Sequence, residues 1–269
     1  MKSAAENNLL RCGLSLPCTE RSELNLYASI PECFEWLELS GELAPDIANL
    51  RNEIPFLQEF EFLNFRNIIS ASLSSQLTPE NQVIVPNYKK QLRELFANIR
   101  SCAANQAGID PDWETLYNDP ARLEIFNDIL RCTAGDREYY NLTVTIPVRL
   151  PGSGQLPIKE SLKLLHKLSN YRVNLALDIH PHELLNSQLN WQEILSPFRF
   201  DVSCIRLCYV SDLGNKLLFR HIENIILVLH DWKQPLYLAI APSAQADFEE
   251  LNDLIKSIQE GSAGYESQQ

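Results

Sequence analysis

The six residues Asp178-Ile179-His180-Pro181-His182-Glu183 bring two carboxylates and two imidazoles together directly after the apolar run Val173-Asn174-Leu175-Ala176-Leu177. A carboxylate beside an imidazole can move a proton as an acid/base pair or ligate a divalent cation. Side chains alternate along an extended strand, so Asp178 and His180 share one face while Leu175, Leu177 and Ile179 share the other. His182 and Glu183 lie beyond the proline that ends the run, and a polar pair capping the next helix is the structural alternative to a reactive site.

Other stretches offer partners. In Trp36-Leu37-Glu38-Leu39-Ser40 the same alternation sets Trp36, Glu38 and Ser40 on one face. If that face is interior, Glu38 needs a cation, a metal or a proton, because a buried unpaired carboxylate costs several kcal/mol. Arg149 and Arg206 sit among apolar residues, and a guanidinium fork there suits either a substrate's anionic group or an internal carboxylate such as Glu38 or Asp178. Ser70, Ser72 and Ser74 alternate with Ile69, Ala71 and Leu73, which suggests a hydroxyl-lined wall. From these groups Asp178, His180 and Glu38 are the candidate catalytic residues, and Arg206, Arg149, His182 and Ser72 the candidate substrate contacts.

The elements that must position these groups alternate in type. β-rich runs at Leu10 to Pro17, Phe34 to Leu39, Asn67 to Leu73, Tyr140 to Leu150, Val173 to Ile179, Val202 to Tyr209 and Leu236 to Ile240 are separated by helical patterns, the signature of parallel strands with crossover helices. The helical patterns cover Ile47 to Phe60 around Pro55, Asn87 to Gln106, Pro120 to Arg131, Ile158 to Leu168, Trp191 to Leu195, Phe219 to Trp232 and Ala246 to Glu260. A length of 269 residues suits one (β/α)8 barrel, which needs about 250. The fourth strand is then irregular or missing, with Ala107-Gly108-Ile109-Asp110 the candidate and Asp110 and Asp112 at its end. Residues 1–260 are expected to form a single barrel domain and 261–269 a flexible tail. Pro151-Gly152-Ser153-Gly154-Gln155 reads as an exposed connection at a strand end.

Composition narrows the class. Apolar residues make up 45% and charged ones 22%, as in ordinary globular proteins. A net charge of −12 opposes a phosphate backbone as partner, so no nucleic acid is expected. No apolar run approaches the ~20 residues of a membrane span, and the first residues lack a signal peptide's apolar core, so a cytoplasmic location without a membrane partner is expected. Seven cysteines without a CxxC pair signal neither a disulfide framework nor a zinc knuckle. There is no Gly-x-Gly-x-x-Gly fingerprint, phosphate-binding Gly-Lys loop, Gly-x-Ser-x-Gly elbow or His-Glu-x-x-His helix. His166, His221 and His230 fall in helical patterns and read as packing or surface residues.

The order of elements resembles the xylose-isomerase-like superfamily of TIM barrels, which includes sugar-phosphate isomerases and epimerases and endonuclease-four-type repair enzymes. Phe34-Glu35-Trp36-Leu37-Glu38-Leu39-Ser40 is similar to that family's second strand, Val173 to His180 to its Leu-Cys-Leu-Asp-Thr-Gly-His strand, and Ile205 to Asp212 to the strand that follows. The resemblance implies a carbohydrate-metabolism isomerase or epimerase and a divalent metal. Carried over residue by residue, the metal site is degraded. Its Asp-x-x-His pattern becomes Asp178 with His180 and His182, Arg206 and Cys208 stand where imidazoles are expected, and no glutamate occurs in the fifth or last strand. The cofactor is therefore left open, with a divalent metal disfavoured and no metal ligand assigned. Two functions follow: proton transfer on a small carbohydrate-like substrate, a sugar or sugar phosphate, without the full metal site, or a non-catalytic barrel that binds such a ligand or a protein partner.

Overall fold

The computed structural model describes residues 10–16, 18–25, 34–66, 68, 76–81, 84–109, 113–150, 173–180, 190–208, 216–232 and 236–241, with 253 and 256 as single positions. Eight strands close into a barrel in chain order: β1 (Leu10–Ser15), β2 (Trp36–Ser40), β3 (Phe62–Arg66), β4 (Gln106–Gly108), β5 (Thr143–Leu150), β6 (Val173–Ile179), β7 (Val202–Cys208) and β8 (Leu236–Ala241). Every neighbouring pair is parallel, and β1 closes on β8. A parallel barrel buries both faces of each strand, so a period of two separates two cores rather than core from solvent.

Leu14, Leu37, Leu39, Leu63, Phe65, Val144, Leu175, Leu177, Ile205, Leu207, Leu238 and Ile240 belong to the main hydrophobic core. Helices supply its other side. In the helix Ile84–Ser101, Leu92, Phe96 and Ile99 are buried at spacings of three and four. The helix Pro120–Cys132 is started by Asp119, whose Oδ1 accepts from the backbone N–H groups of Ala121 and Arg122, with Pro120 at the position where a missing N–H costs nothing. The helix Trp191–Leu195 has the expected bounds, and Trp191 Nε1 donates to Nδ1 of the buried His221 at 3.1 Å.

The inner face holds a smaller cluster of Trp36, Phe62, Ala176, Cys204 and Ala239, with Tyr237 against it. Trp36 and Phe62 stack with centroids 6.2 Å apart, and Tyr237 meets both edge-on. Trp36 lies directly over Gly13, and its Nε1 donates to the Arg11 carbonyl. These residues come from the early parts of their strands, so three rings close the amino-terminal end of the barrel. Above them Asn64 Oδ1 accepts from the backbone N–H groups of both Asn105 and Gln106, fixing the start of the three-residue β4.

The third strand differs from expectation. It is Phe62–Arg66, not Asn67 to Leu73, and the serine wall of Ser70, Ser72 and Ser74 lies outside the described residues. The alternation that selected 67–73 does exist in the sequence. In the barrel, however, the strand is the stretch whose inward residues, Phe62 and Asn64, complete the aromatic layer and pin β4. The short fourth strand exists, at Gln106–Gly108, while Asp110 and Asp112 lie outside the described residues. The helical run around Pro55 is an α-helix, Ile47–Glu53, followed by a 3-10 turn, Pro55–Gln58. The ring of Pro55 removes the N–H that would continue the helix. The connection 151–155, the helical pattern 158–168, the tail 261–269 and nearly all of 246–260 also lie outside the described residues.

Candidate functional site

The carboxyl end of a barrel's strands is where ligand sites form, because the βα connections leave a crevice there. Three strands converge charged groups at that end. Trp36, Glu38 and Ser40 share the inner face of β2, and Glu38 is only 2% exposed. Arg206, at the middle of β7, is 3% exposed and spans the interior to reach it. Arg206 Nε donates to Glu38 Oε1 at 2.6 Å and Nη2 to Oε2 at 2.8 Å, a two-pronged pair with the geometry that suits a guanidinium and a carboxylate. Ser15, at the end of β1, donates its hydroxyl to Glu38 Oε1 at 2.7 Å.

The third prong of Arg206, Nη1, donates to Asp178 Oδ1 at 2.9 Å. Asp178 and Arg206 are register partners on the adjacent strands β6 and β7, so the contact needs only the strand pairing to form. One guanidinium therefore ties β2, β6 and β7 together. Three of its five N–H hydrogens are used, leaving one on each Nη. The Asp178 side chain is 26% exposed, so one side of the ion cluster is closed and the other open.

The electrostatics follow from that asymmetry. Burial pushes the Glu38 carboxyl up, but the charge and hydrogen bonds of Arg206, aided by Arg66 and Ser15, outweigh it and hold the group below the usual carboxylate range. Burial pulls the Arg206 guanidinium down, and Glu38 with Asp178 more than compensates, so it is more firmly protonated than a free arginine. Cys204 and Cys208 flank Arg206 on the same strand face. Burial pushes both thiols far up, so neither is a thiolate nucleophile. Cys12, Cys18 and Cys102 are also buried, and Cys132 is exposed.

Of the residues singled out in the sequence, Glu38, Asp178 and Arg206 are brought into direct contact. His180 follows β6 immediately and is 9% exposed. Arg149 is in register with Asp178 on β5, but its side chain lies outside the described residues, as do His182 and Ser72. One charged residue escaped the sequence reading. Arg66 ends β3, two positions after the inward Asn64, and its Nη2 donates to the Leu16 carbonyl at 3.4 Å while its Nε is buried without a partner. The signal was present, since Phe62-Leu63-Asn64-Phe65-Arg66 repeats the inward pattern of Trp36-Leu37-Glu38-Leu39-Ser40.

The donor set does not fit the divalent metal that the resemblance implies. Such a site needs three or more oxygen, nitrogen or thiolate donors facing one point. Among the described residues no group of three histidine, cysteine, aspartate or glutamate side chains is so placed. Both Glu38 oxygens and one of Asp178 already face a guanidinium, and the neighbouring thiols are held protonated. Among the described residues no helix is long and apolar enough to cross a membrane.

No protein-family model matches the sequence, and neither does any curated protein. Solved structures do. A D-tagatose 3-epimerase-like protein is 12% identical with a TM-score of 0.68, the match covering 95% of this chain and 99% of that one. A 3-keto-D-glucoside 4-epimerase from E. coli is 11% identical with a TM-score of 0.64, over 93% and 99%. A family 2 AP endonuclease from Brucella melitensis is 13% identical with a TM-score of 0.63, over 89% and 95%. At such identities the likeness is one of architecture, and the chain shares the (β/α)8 barrel fold of these structures.

Proposed function

We propose that the chain is an isomerase or epimerase that transfers a proton on a small carbohydrate-like substrate without using a divalent metal. The observation that carries this is Asp178, a carboxylate at the open end of β6 whose Oδ1 is held by a buried guanidinium while the rest of the side chain reaches solvent. Solved neighbours that include sugar epimerases lend support.

In this reading the free oxygen of Asp178 takes the proton from the carbon next to the substrate carbonyl. The negative charge that develops on the carbonyl oxygen is met by the remaining N–H groups of Arg206, fixed in advance by Glu38. His180, at the end of the same strand, returns a proton, to the opposite face of that carbon for epimerisation or to the neighbouring carbon for isomerisation. Glu38 is a positioning residue here. Both of its oxygens are engaged and it is closed to solvent, so it sets the aim of Arg206 rather than carrying the proton itself.

The test is incorporation of solvent deuterium into ketoses, aldoses and their phosphates, followed by mass spectrometry. The wild-type chain should exchange one carbon-bound hydrogen, and the rate should survive a chelator. Asp178→Asn, which keeps a hydrogen-bond acceptor for Arg206, should lower exchange by roughly 10²–10⁴-fold. Exchange that stops on chelation would overturn the metal-free mechanism. Undiminished exchange in Asp178→Asn would overturn the assignment of the base. Tight sugar binding with no exchange would favour the non-catalytic barrel.

A further inference from the structure

We propose that Arg66 is the anchor for an anionic group on the substrate, a phosphate or a carboxylate, which makes the ligand of this barrel a sugar phosphate or sugar acid rather than a neutral sugar. The proposal rests on the reading of the mouth as a carbohydrate-like site and adds its charge specificity.

An arginine is charged at every accessible pH, and when half-buried it needs an anion or a full set of acceptors. Arg66 has neither. Its one hydrogen bond is the long contact of Nη2 with the Leu16 carbonyl, its Nε is shielded from water without an acceptor, and among the described residues it forms no ion pair. Among the described residues the nearby acids are taken. Glu38, whose charge Arg66 senses, has both oxygens on Arg206, and Asp178 is held by the same guanidinium. Cys18 and Cys208, which also sense Arg66, are held neutral by burial. The guanidinium of Arg66 is thus left over when the internal charges of the described residues have paired.

Its position fits a ligand contact. Arg66 ends β3 at the carboxyl end of the barrel, beside the end of β4. The β4 neighbour is Gly108, where a Cβ would come within 3.1 Å of the Arg66 Cα, 3.3 Å of Thr145 Oγ1 and 3.4 Å of Arg206 Nη2. The position has no room for a side chain, so the bare β4 backbone borders both the start of Arg66 and the Arg206 guanidinium. A substrate lying over the carboxyl ends of β3 and β7 would have its reacting carbonyl at Arg206 and Asp178 and its charged end at Arg66. Arg206 itself cannot hold a second anion in its fork, because Glu38 already fills it. The overall charge of −12 gives no general attraction for anions, so affinity for one must be local.

The experiment is calorimetric titration of the full chain with inorganic phosphate and with matched sets of a ketose, its phosphate and the corresponding sugar acid, using wild type, Arg66→Gln and Arg66→Lys. Charged sugars should bind wild type roughly ten- to hundredfold more tightly than neutral ones, Arg66→Gln should abolish most of that ratio, and Arg66→Lys should keep part of it. The phosphate and acid arms show which anion is preferred. A wild type indifferent to charge, or a preference that persists in Arg66→Gln, overturns the proposal. If no sugar binds but inorganic phosphate binds in an Arg66-dependent way, the anion site stands and the isomerase reading falls. If neutral sugars turn over and charged ones gain nothing, the reverse holds. Should Arg66→Gln fail to fold, protection of Arg66 by phosphate against phenylglyoxal in wild type decides, and absence of protection overturns the proposal.

Discussion

Replacing Arg206 with methionine is expected to destabilise the fold by about 3–5 kcal/mol, the cost of leaving a buried charge without its partner. Glu38 would keep only the Ser15 hydroxyl, in a position 2% exposed to water. Asp178, part exposed, can hydrate and contributes less. The change should also reverse the pH dependence. In the wild type the folded Glu38 carboxyl titrates below its unfolded value, so its stabilisation is complete above the unfolded pKa and disappears as pH falls through the folded one. Without Arg206 burial is opposed only by the smaller effects of Arg66 and the Ser15 hydroxyl, and it raises the folded pKa above the unfolded value. Stability is then greatest below the unfolded pKa and is lost as pH rises through the folded one. Urea unfolding between about pH 4 and about pH 8 should therefore show wild type gaining from Glu38 toward neutrality and Arg206→Met losing. Adding Glu38→Leu to Arg206→Met should recover most of the loss, since replacing both members of a buried pair with apolar groups is often neutral. A single variant as stable as wild type at neutral pH, with an unchanged pH profile, would show that the pair is not what holds β2 to β7.

Gly13→Ala is expected to cost about 3 kcal/mol, at the upper end of what forced overpacking does to a core, with a fall in Tm of roughly 5–10 °C. The new methyl would lie 2.1 Å from Trp36 Cε2 and 2.3 Å from Cδ2. The indole cannot easily move aside. It is stacked on Phe62 at an interplanar angle of 7°, met edge-on by Tyr237 and bonded through Nε1 to the Arg11 carbonyl. Gly135→Ala is the control: a Cβ there meets nothing within 4 Å, and in a helix alanine is favoured. Thermal melts of the two variants should move in opposite directions, and equal small shifts would mean that the indole is not locked.

Why some of this could be read from sequence and some could not follows from the strands themselves. β6 and β7 combine an unbroken apolar outer set with a few polar inner residues, so Val173–Ile179 and the placement of Asp178 opposite its outer leucines were legible in the alternation. That Arg206 would meet both Glu38 and Asp178 was not, because it depends on barrel closure and register, which bring residues 168 apart in sequence to 2.6 Å. β3 was misplaced for a local reason. Asn67 to Leu73 alternates Ile69, Ala71 and Leu73 with serines as a half-buried strand would, whereas Phe62–Arg66 carries an asparagine and an arginine whose inward role appears only once Asn64 is seen holding the backbone of Asn105 and Gln106. The error in β3 removed Arg66 from view, so one missed strand also cost the residue proposed to anchor an anion.

The three stacked and edge-on rings of Trp36, Phe62 and Tyr237 make the barrel a vessel with a single door. Whatever reaches Asp178 must come in and go out the same way, so under the proposed function a product would have to depart before its successor could enter. If the proposed proton transfer takes place there, a long polymer could offer only its tip to such a blind passage and never thread through it, which would restrict turnover to free monomers or chain ends.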